Sequence, residues 1–421
     1  MSDWREVLNL ATVRAAAERL APIGVQTPLQ RNERLSARYG VEVLLKREDL
    51  QSVRSYKIRG AYNFIAGLSG GPPAAGVTCA SAGNHAQGVA WSCRHLGVPG
   101  TVFLPGRTPR QKVDRIRSIG GALVDVRFAG TTFDDAAAAA AAHAAATGAT
   151  VVPAFDDPAT AAGHGTVGLE VVEQLGRPPD ALVVPIGGGG LVAGIGACLD
   201  GLGAPTQLLG AQPAGAPAMA RSLAAGHPVR VDITDDFVDG AVVGTPGALG
   251  VAVAQEVLSG LAIVTEGRIC TELLALYQED GIVAEPAGAL SIAALEHLTD
   301  HLGDPGRTVV CVLSGGNNDV ARYGDIIERS LVDRGLKHYF LVQFPQQPGA
   351  LRRFLDECLG PDDDITLFEY MKKSSRELGP ALVGLELARP EDLSPLLDRM
   401  ATSGLEIESM TPGSALFRFL L

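Results

Sequence analysis

From Ala181 to Leu199 the chain carries no charged residue and is almost wholly apolar or glycine. A stretch of that length could cross a bilayer, but Pro185 and the four consecutive glycines Gly187, Gly188, Gly189 and Gly190 interrupt it. It reads instead as a buried strand from Ala181 to Ile186, a tight loop, and a helix opening at Leu191. Glycines let a backbone approach an anion closely, and a helix N-terminus offers free N–H groups and the positive end of a dipole. The loop Gly187 to Leu191 is therefore expected to hold a phosphate.

The same unit recurs along the chain. On the N-terminal side, after a helix over 8–20, strands are expected at 41–46, 76–80, 100–104 and 122–126. They are interleaved with helices at 58–68, 84–96, 110–119 and 136–146, the last with Asp134 and Asp135 at its positive end. On the other side come a helix over 166–175, a strand over 207–211, helices over 248–260, 268–278 and 288–297, and a strand over 308–313. This alternation is the mark of parallel sheets covered by helices, and two such runs imply a cleft between them. Beyond about residue 325 the order changes to strands at 339–344, 365–371, 381–387 and 405–410, with helices at 351–359 and 393–400 and a last apolar strip at Ala415 to Leu420. That βαββαβ order is a small ferredoxin-like unit.

With 421 residues the chain has room for two or three domains. A net charge of −12 argues against a nucleic-acid partner. The opening Met-Ser-Asp-Trp-Arg-Glu has no apolar core of a secretory signal, and the six cysteines form no CxxC pair. A cytoplasmic protein with reduced core thiols, no metal site and no membrane contact is expected.

Lys57 lies in Ser-Val-Arg-Ser-Tyr-Lys-Ile-Arg-Gly, between Tyr56 and Ile58, with Arg54 and Arg59 nearby. A lysine among cations and apolar groups is pushed toward its neutral amine, the form that makes Schiff bases. The loop at 188–193 also fits a dinucleotide fingerprint loosely, but the next strand ends in Gln212-Pro213 with no acid to hold a ribose. Two further loops follow strands: Ala80-Ser81-Ala82-Gly83-Asn84-His85, a nest of N–H groups suited to a carboxylate, and Ser314-Gly315-Gly316-Asn317-Asn318. An amine nucleophile, a phosphate loop and a carboxylate nest are the requirements of pyridoxal phosphate acting on an amino acid.

Five motifs in one order carry a family resemblance: Ser-Tyr-Lys-Ile-Arg-Gly-Ala at 55–61, Ser-Ala-Gly-Asn-His-Ala-Gln-Gly at 81–88, the four glycines with Leu191, Glu-Pro-Ala-Gly-Ala at 285–289, and Ser-Gly-Gly-Asn at 314–317. Together they resemble threonine dehydratase, a fold-type II, tryptophan-synthase-β-like pyridoxal phosphate enzyme. The resemblance implies an α/β catalytic region over 1–325, with a smaller subdomain at about 54–157 inserted in a larger one. By the same resemblance Lys57 carries the cofactor as a Schiff base, Asn84 bonds its ring hydroxyl, Gly187, Gly188, Gly189, Gly190 and Leu191 hold its phosphate, and Ser314 faces the pyridine nitrogen. A neutral serine there leaves the ring a weaker electron sink than a carboxylate would, which favours quick expulsion of a β-leaving group over storage of a carbanion.

The implied reaction converts L-threonine to 2-oxobutanoate and ammonia. Its carboxylate would dock on Ser81, Ala82, Gly83, Asn84 and His85, and Lys57 would remove the Cα proton. Glu285 is a candidate for steering the β-hydroxyl, an ion pair or a helix cap being its other uses. Serine racemases resemble the same pattern but carry a second serine at the place of Ala82 and acidic metal ligands near Gln212 to Ala216, both missing here. Tyr56 stands where the dehydratases usually have phenylalanine. A serine-preferring dehydratase and a catalytically silent amino-acid sensor are the alternatives.

The C-terminal residues 337–421, joined by a linker at 326–336, resemble the ACT-like regulatory domain of biosynthetic threonine dehydratases in a single copy. Pro348, Gly349, Ala350 and Leu351 match its effector-binding turn, which implies isoleucine as inhibitor and valine as a candidate antagonist. The resemblance also implies a homodimer or homotetramer.

Overall fold

The computed structural model describes residues 3–71, 73–370 and 377–410. They fall into two compact units, Met1–Asn318 and Asp319–Leu421. The strands of the first are β1 (Leu29–Arg31), β2 (Glu42–Arg47), β3 (Val77–Ala80), β4 (Gly100–Leu104), β5 (Val124–Phe128), β6 (Thr150–Val151), β7 (Ala181–Pro185), β8 (Gln207–Pro213), β9 (Leu258–Val264) and β10 (Thr308–Leu313).

They build two sheets, one ordered β1-β2-β10-β7-β8-β9 and one ordered β5-β4-β3-β6. Every pairing is parallel except β1 with β2. Strands of parallel sheets covered on both faces must be apolar throughout, and β7 and β10 are buried along their whole length. Val184, Ile186, Leu191, Ile195, Val310 and Val312 belong to the core of the larger sheet, whereas Val77, Val89, Val102, Leu104 and Ile116 fill that of the smaller. The six cysteines are buried thiols. Among the described residues no helix is long and apolar enough to cross a membrane.

Two helical expectations need correction. The helix expected over 248–260 ends at Val257, and its last residues open β9, which pairs with β8 from Leu208↔Leu258 onward. The stretch over 248–260 is mostly apolar, with Gln255, Glu256 and Ser259 as its polar residues and no proline to stop a helix at Val257, so the partner strand decides where helix gives way to strand. The helix expected from 166 begins at Pro158, capped by Asp157, whose carboxylate accepts the N–H groups of Ala159 and Thr160. Gly163, Gly165 and Gly168 hide its first half in the sequence, and the structure gives the reason for two of them. A Cβ on Gly163 would lie 2.5 Å from the Arg59 carbonyl oxygen, and one on Gly165 would lie 2.5 Å from that of Gly194. Two neighbouring helices, Lys57–Ala66 and Gly190–Gly201, cross it at those points. Helices Glu33–Tyr39 and Ala218–Ala225 were not expected.

In the second unit, helix Tyr323–Asp333 covers most of the stretch expected as a linker. After it come β11 (Lys337–Pro345), helix Ala350–Cys358, β12 (Asp364–Tyr370), β13 (Leu378–Glu386), helix Leu393–Thr402 and β14 (Glu406–Ser409). The sheet is antiparallel in the order β12-β13-β11-β14, the ferredoxin-like arrangement. Phe340, Phe344, Phe354, Val383, Leu385, Leu396 and Met400 form its core. Met371 and the strip Ala415 to Leu420 lie outside the described residues.

Candidate active site

Parallel strands all end on one side, so the loops that follow them gather there. After β2 the chain reaches Arg54, whose φ of 58° makes it the one non-glycine in the left-handed region among the described residues. Such a conformation costs about 1–3 kcal/mol and persists where neighbouring contacts impose it. Here those contacts come from the loop after β10. Gly316 N–H donates to the Arg54 carbonyl at 2.9 Å, Ser55 bridges to Gly315, and Tyr56 N–H donates to the Ser314 carbonyl at 3.1 Å. The lysine segment and the serine loop are thus fastened to each other through main-chain bonds.

Lys57 is the first residue of its helix, and its Nζ donates to the Ala154 carbonyl at 3.0 Å while lying 5.1 Å from the centroid of the Tyr56 ring. Desolvation by the surrounding protein lowers its pKa to about 8, against a smaller upward pull from Glu285. Below that pH the group is an ammonium, and above it a reactive amine. Competitive labelling of the cofactor-free protein with an amine reagent should therefore give a midpoint for Lys57 near 8. A midpoint near the ordinary lysine value of about 10.4 contradicts this desolvation.

Phe155, next to Ala154, ties the lysine to the glycine loop. A Cβ on Gly188 would lie 2.3 Å from its ring and one on Gly190 would lie 2.8 Å from its carbonyl oxygen. On the other flank a Cβ on Gly187 would come within 3.0 Å of the Ala241 carbonyl oxygen. Gly189 has φ 96° and is the N-cap of helix Gly190–Gly201, with no side chain capping it. Side chains are thus excluded from this loop by close packing, and the first N–H groups of a twelve-residue helix point from it without a side-chain cap. That chemistry fits a phosphate.

The third wall joins two sheets. Asn84, first residue of helix Asn84–Leu96 after β3, donates from Nδ2 to Glu285 Oε1 at 2.6 Å. Its Oδ1 accepts from Asn317 Nδ2 at 2.8 Å. Glu285 stands at the N-cap position of helix Pro286–Ala293, yet its side chain makes no capping bond there and turns to Asn84. Burial raises its pKa to about 7, helped by the nearby Asp239 carboxylate and opposed by the bonds from Asn84 and the Asn317 main chain. Ser314, 3% exposed, donates its hydroxyl to the Ala287 carbonyl at 3.1 Å.

In the nest, Ser81 Oγ accepts the Gly83 N–H at 3.2 Å, and Ala82 packs against the core of the smaller sheet. His85 is 4% exposed, with Nε2 2.9 Å from the Val152 carbonyl. Its ring is thus in the interior, leaving only its main chain for the cleft.

Ala154, Phe155 and Asn317 complete the site and were not among the expected residues. Asn317 stood inside a motif, but nothing local marks the other two. The role of Arg59, open in the sequence, is structural. Fully buried, it donates to Glu48 at 2.8 and 2.7 Å, to Glu170 at 2.6 and 2.9 Å, to Thr166 at 3.0 Å and to the Val25 carbonyl at 2.9 Å. Lys46, also fully buried, reaches Glu170 at 2.6 Å. Two cations and two carboxylates thus lie together beneath the lysine helix, each with a partner.

In the second unit Gly349, with φ 88°, caps helix Ala350–Cys358. Ala350 is buried, whereas Leu351 and Pro348 are exposed.

A desolvated lysine, a glycine loop on a helix start and a buried serine at strand ends of two parallel sheets define a pyridoxal-phosphate enzyme of the two-sheet type. Residues 20–315 match the family model "Pyridoxal-phosphate dependent enzyme", and residues 328–420 match "C-terminal regulatory domain of Threonine dehydratase". The biosynthetic L-threonine dehydratase of Mycobacterium tuberculosis is 56% identical over 98% of this chain and 96% of its own. That of Bacillus subtilis is 46% identical over 99% of this chain and 98% of its own. Among solved structures, the processed threonine deaminase isoform 2 of Solanum lycopersicum superposes with a TM-score of 0.72 at 35% identity, covering 76% of this chain and 92% of that one. The chain belongs to the biosynthetic L-threonine dehydratase family.

Proposed function

We propose that this chain is an effector-regulated threonine ammonia-lyase, which deaminates L-threonine to 2-oxobutanoate and ammonia at the head of isoleucine synthesis. The observation that carries the reading is the Lys57 amine, with a pKa lowered to about 8, bonded to Ala154 beside a glycine loop shaped by Phe155. Pyridoxal phosphate, bound there, supplies an electron sink that acidifies the Cα proton of the substrate. Lys57 would anchor the cofactor, and its Nζ is the amine placed to take the Cα proton of the substrate. Main-chain N–H groups of Gly187 to Leu191 would hold the phosphate, and the nest from Ser81 to His85 would hold the substrate carboxylate. Asn84, fixed by Glu285 and Asn317, would offer its amide to the cofactor's ring hydroxyl, and Ser314 would face its ring nitrogen. Glu285, with a pKa near 7, retains a proton in part at neutral pH and steers the departing β-hydroxyl.

Ala82 offers no second base for the opposite face of Cα, which favours elimination over racemisation. This bears on a further structural neighbour, maize serine racemase, with TM-score 0.71 and 27% identity over 78% of this chain and 99% of that one. Comparing kcat/KM for threonine and serine tests the substrate, and a preference for serine overturns the assignment.

Gly188→Ala places a methyl group 2.3 Å from the Phe155 ring, so loop or ring must shift. Cofactor affinity, read by titrating the cofactor-free protein with pyridoxal phosphate, should fall about tenfold or more, equivalent to about 1.4 kcal/mol.

In the second unit, Pro348 to Leu351 are proposed to bind isoleucine, with valine competing, and the whole protein to work in the cytoplasm as a homodimer or homotetramer. Isoleucine should inhibit the intact enzyme, and a chain ending at Asn318 should keep turnover without that response. A truncated enzyme still inhibited by isoleucine would place the effector site in the catalytic unit.

A further inference from the structure

The helix Pro158–Leu175 passes between the two parts of the site that must act together. At Gly163 it touches the lysine helix, and at Gly165 it touches the helix that follows the glycine loop. The residue between those glycines is His164. It is fully buried, and its ring meets the Tyr56 ring edge-on, with centroids 4.8 Å apart at 69°. It also fills the space beside Gly60, where a Cβ would lie 2.4 Å from its Nε2.

Neither ring nitrogen has a hydrogen-bond partner in acceptable geometry, although the Gly190 main chain is near enough to act on the ring. Leaving such a group unpaired in the interior costs about 1–3 kcal/mol. A phenylalanine would avoid that cost and pack the same edge on Tyr56. The nitrogens therefore call for a use, and the polar group at hand is the first residue of the phosphate-facing helix.

We propose that His164 is a positioning residue that couples the two halves of the site: its ring fixes Tyr56, and with it Lys57, while a ring N–H donates to the Gly190 carbonyl when the glycine loop holds a phosphate. The inference rests on the reading of this cleft as a pyridoxal-phosphate site. The imidazole works uncharged, because burial and the neighbouring Lys57, His85 and Arg59 all oppose its protonation. Lys57 itself faces Tyr56, His85, His164 and Glu285, so its proton affinity reports on the packing around it.

Two substitutions separate the two functions. His164→Phe keeps the ring edge and removes the nitrogens. It should leave the Lys57 labelling midpoint of the cofactor-free protein in place but weaken binding of pyridoxal phosphate, and of inorganic phosphate as a competitor, about tenfold. His164→Ala removes the ring as well, admits water, and should also move the labelling midpoint upward by about one pH unit. Where the alanine variant does not fold, His164→Asn serves for loss of the ring. Wild-type phosphate affinity in His164→Phe, or a wild-type lysine midpoint in a folded variant that lacks the ring, overturns the proposal. A drop in thermal stability alone, with both readouts unmoved, marks His164 as packing only and overturns it too. Failure of the wild-type protein to bind pyridoxal phosphate is a separate result, which refutes the cofactor reading itself.

Discussion

Lys57→Ala should abolish 2-oxobutanoate formation, with a loss of about 10³-fold or more expected because the role proposed for Lys57 makes one group both the covalent anchor and the proton acceptor. The geometry gives the reason. Nζ is held at 3.0 Å by the Ala154 carbonyl, and the nearby carboxylate, Glu285, is held in turn by Asn84. Glu285, with a pKa raised to about 7, is only partly ionised at neutral pH, and its Oε1 is already engaged by the Asn84 amide. The glycine loop and Asn84 are untouched by the substitution, so cofactor still binds, more weakly. The measurement is a steady-state threonine assay beside an absorbance spectrum of the same sample. Turnover within tenfold of wild type would mean that another group takes the Cα proton.

The second large effect is on stability. Arg59→Met removes the guanidinium that neutralises Glu48 and Glu170 below the lysine helix, leaving carboxylates buried without their strongest partner. Breaking one side of a buried ion network typically costs about 3–5 kcal/mol, because the remaining charge keeps its desolvation penalty. Urea denaturation at pH 7 should show a loss of that order. Glu48→Gln in the same chain should restore part of it, since Lys46 still serves Glu170 at 2.6 Å. A loss below about 1 kcal/mol would equate this buried network with a surface pair.

The two predictions differ in how far the sequence reveals them. Lys57 and the four glycines are recognisable because their chemistry is local: a strand, a loop without side chains and a helix start lie consecutively in the chain. Arg59 is two residues away from Lys57, but its meaning depends on Glu48 and on Glu170, and the latter is 111 positions distant. Nothing in its own neighbourhood distinguishes a buried, fully bonded guanidinium from a solvated one. His164 is obscured in the same way, between two glycines that look like helix breakers until the crossing helices are seen. The helix over 248–260 failed for a related reason, since a mostly apolar stretch without proline serves a helix or a strand and pairing with β8 made the choice.

The sequence alone determined the α/β class, the βαββαβ order of the second unit, and the residue types able to anchor a cofactor and cradle its phosphate. These follow from periodicity and from backbone freedom, which adjacent residues settle among themselves. Only the tertiary structure decided that Lys57 titrates near 8 and Glu285 near 7, that Asn317 holds Asn84, and that Arg54 is held at φ 58° by the loop after β10. Proton affinity depends on what has been removed from water and on groups a few ångströms away, and for Glu285 one of those, Asn84, is 201 residues distant in the chain.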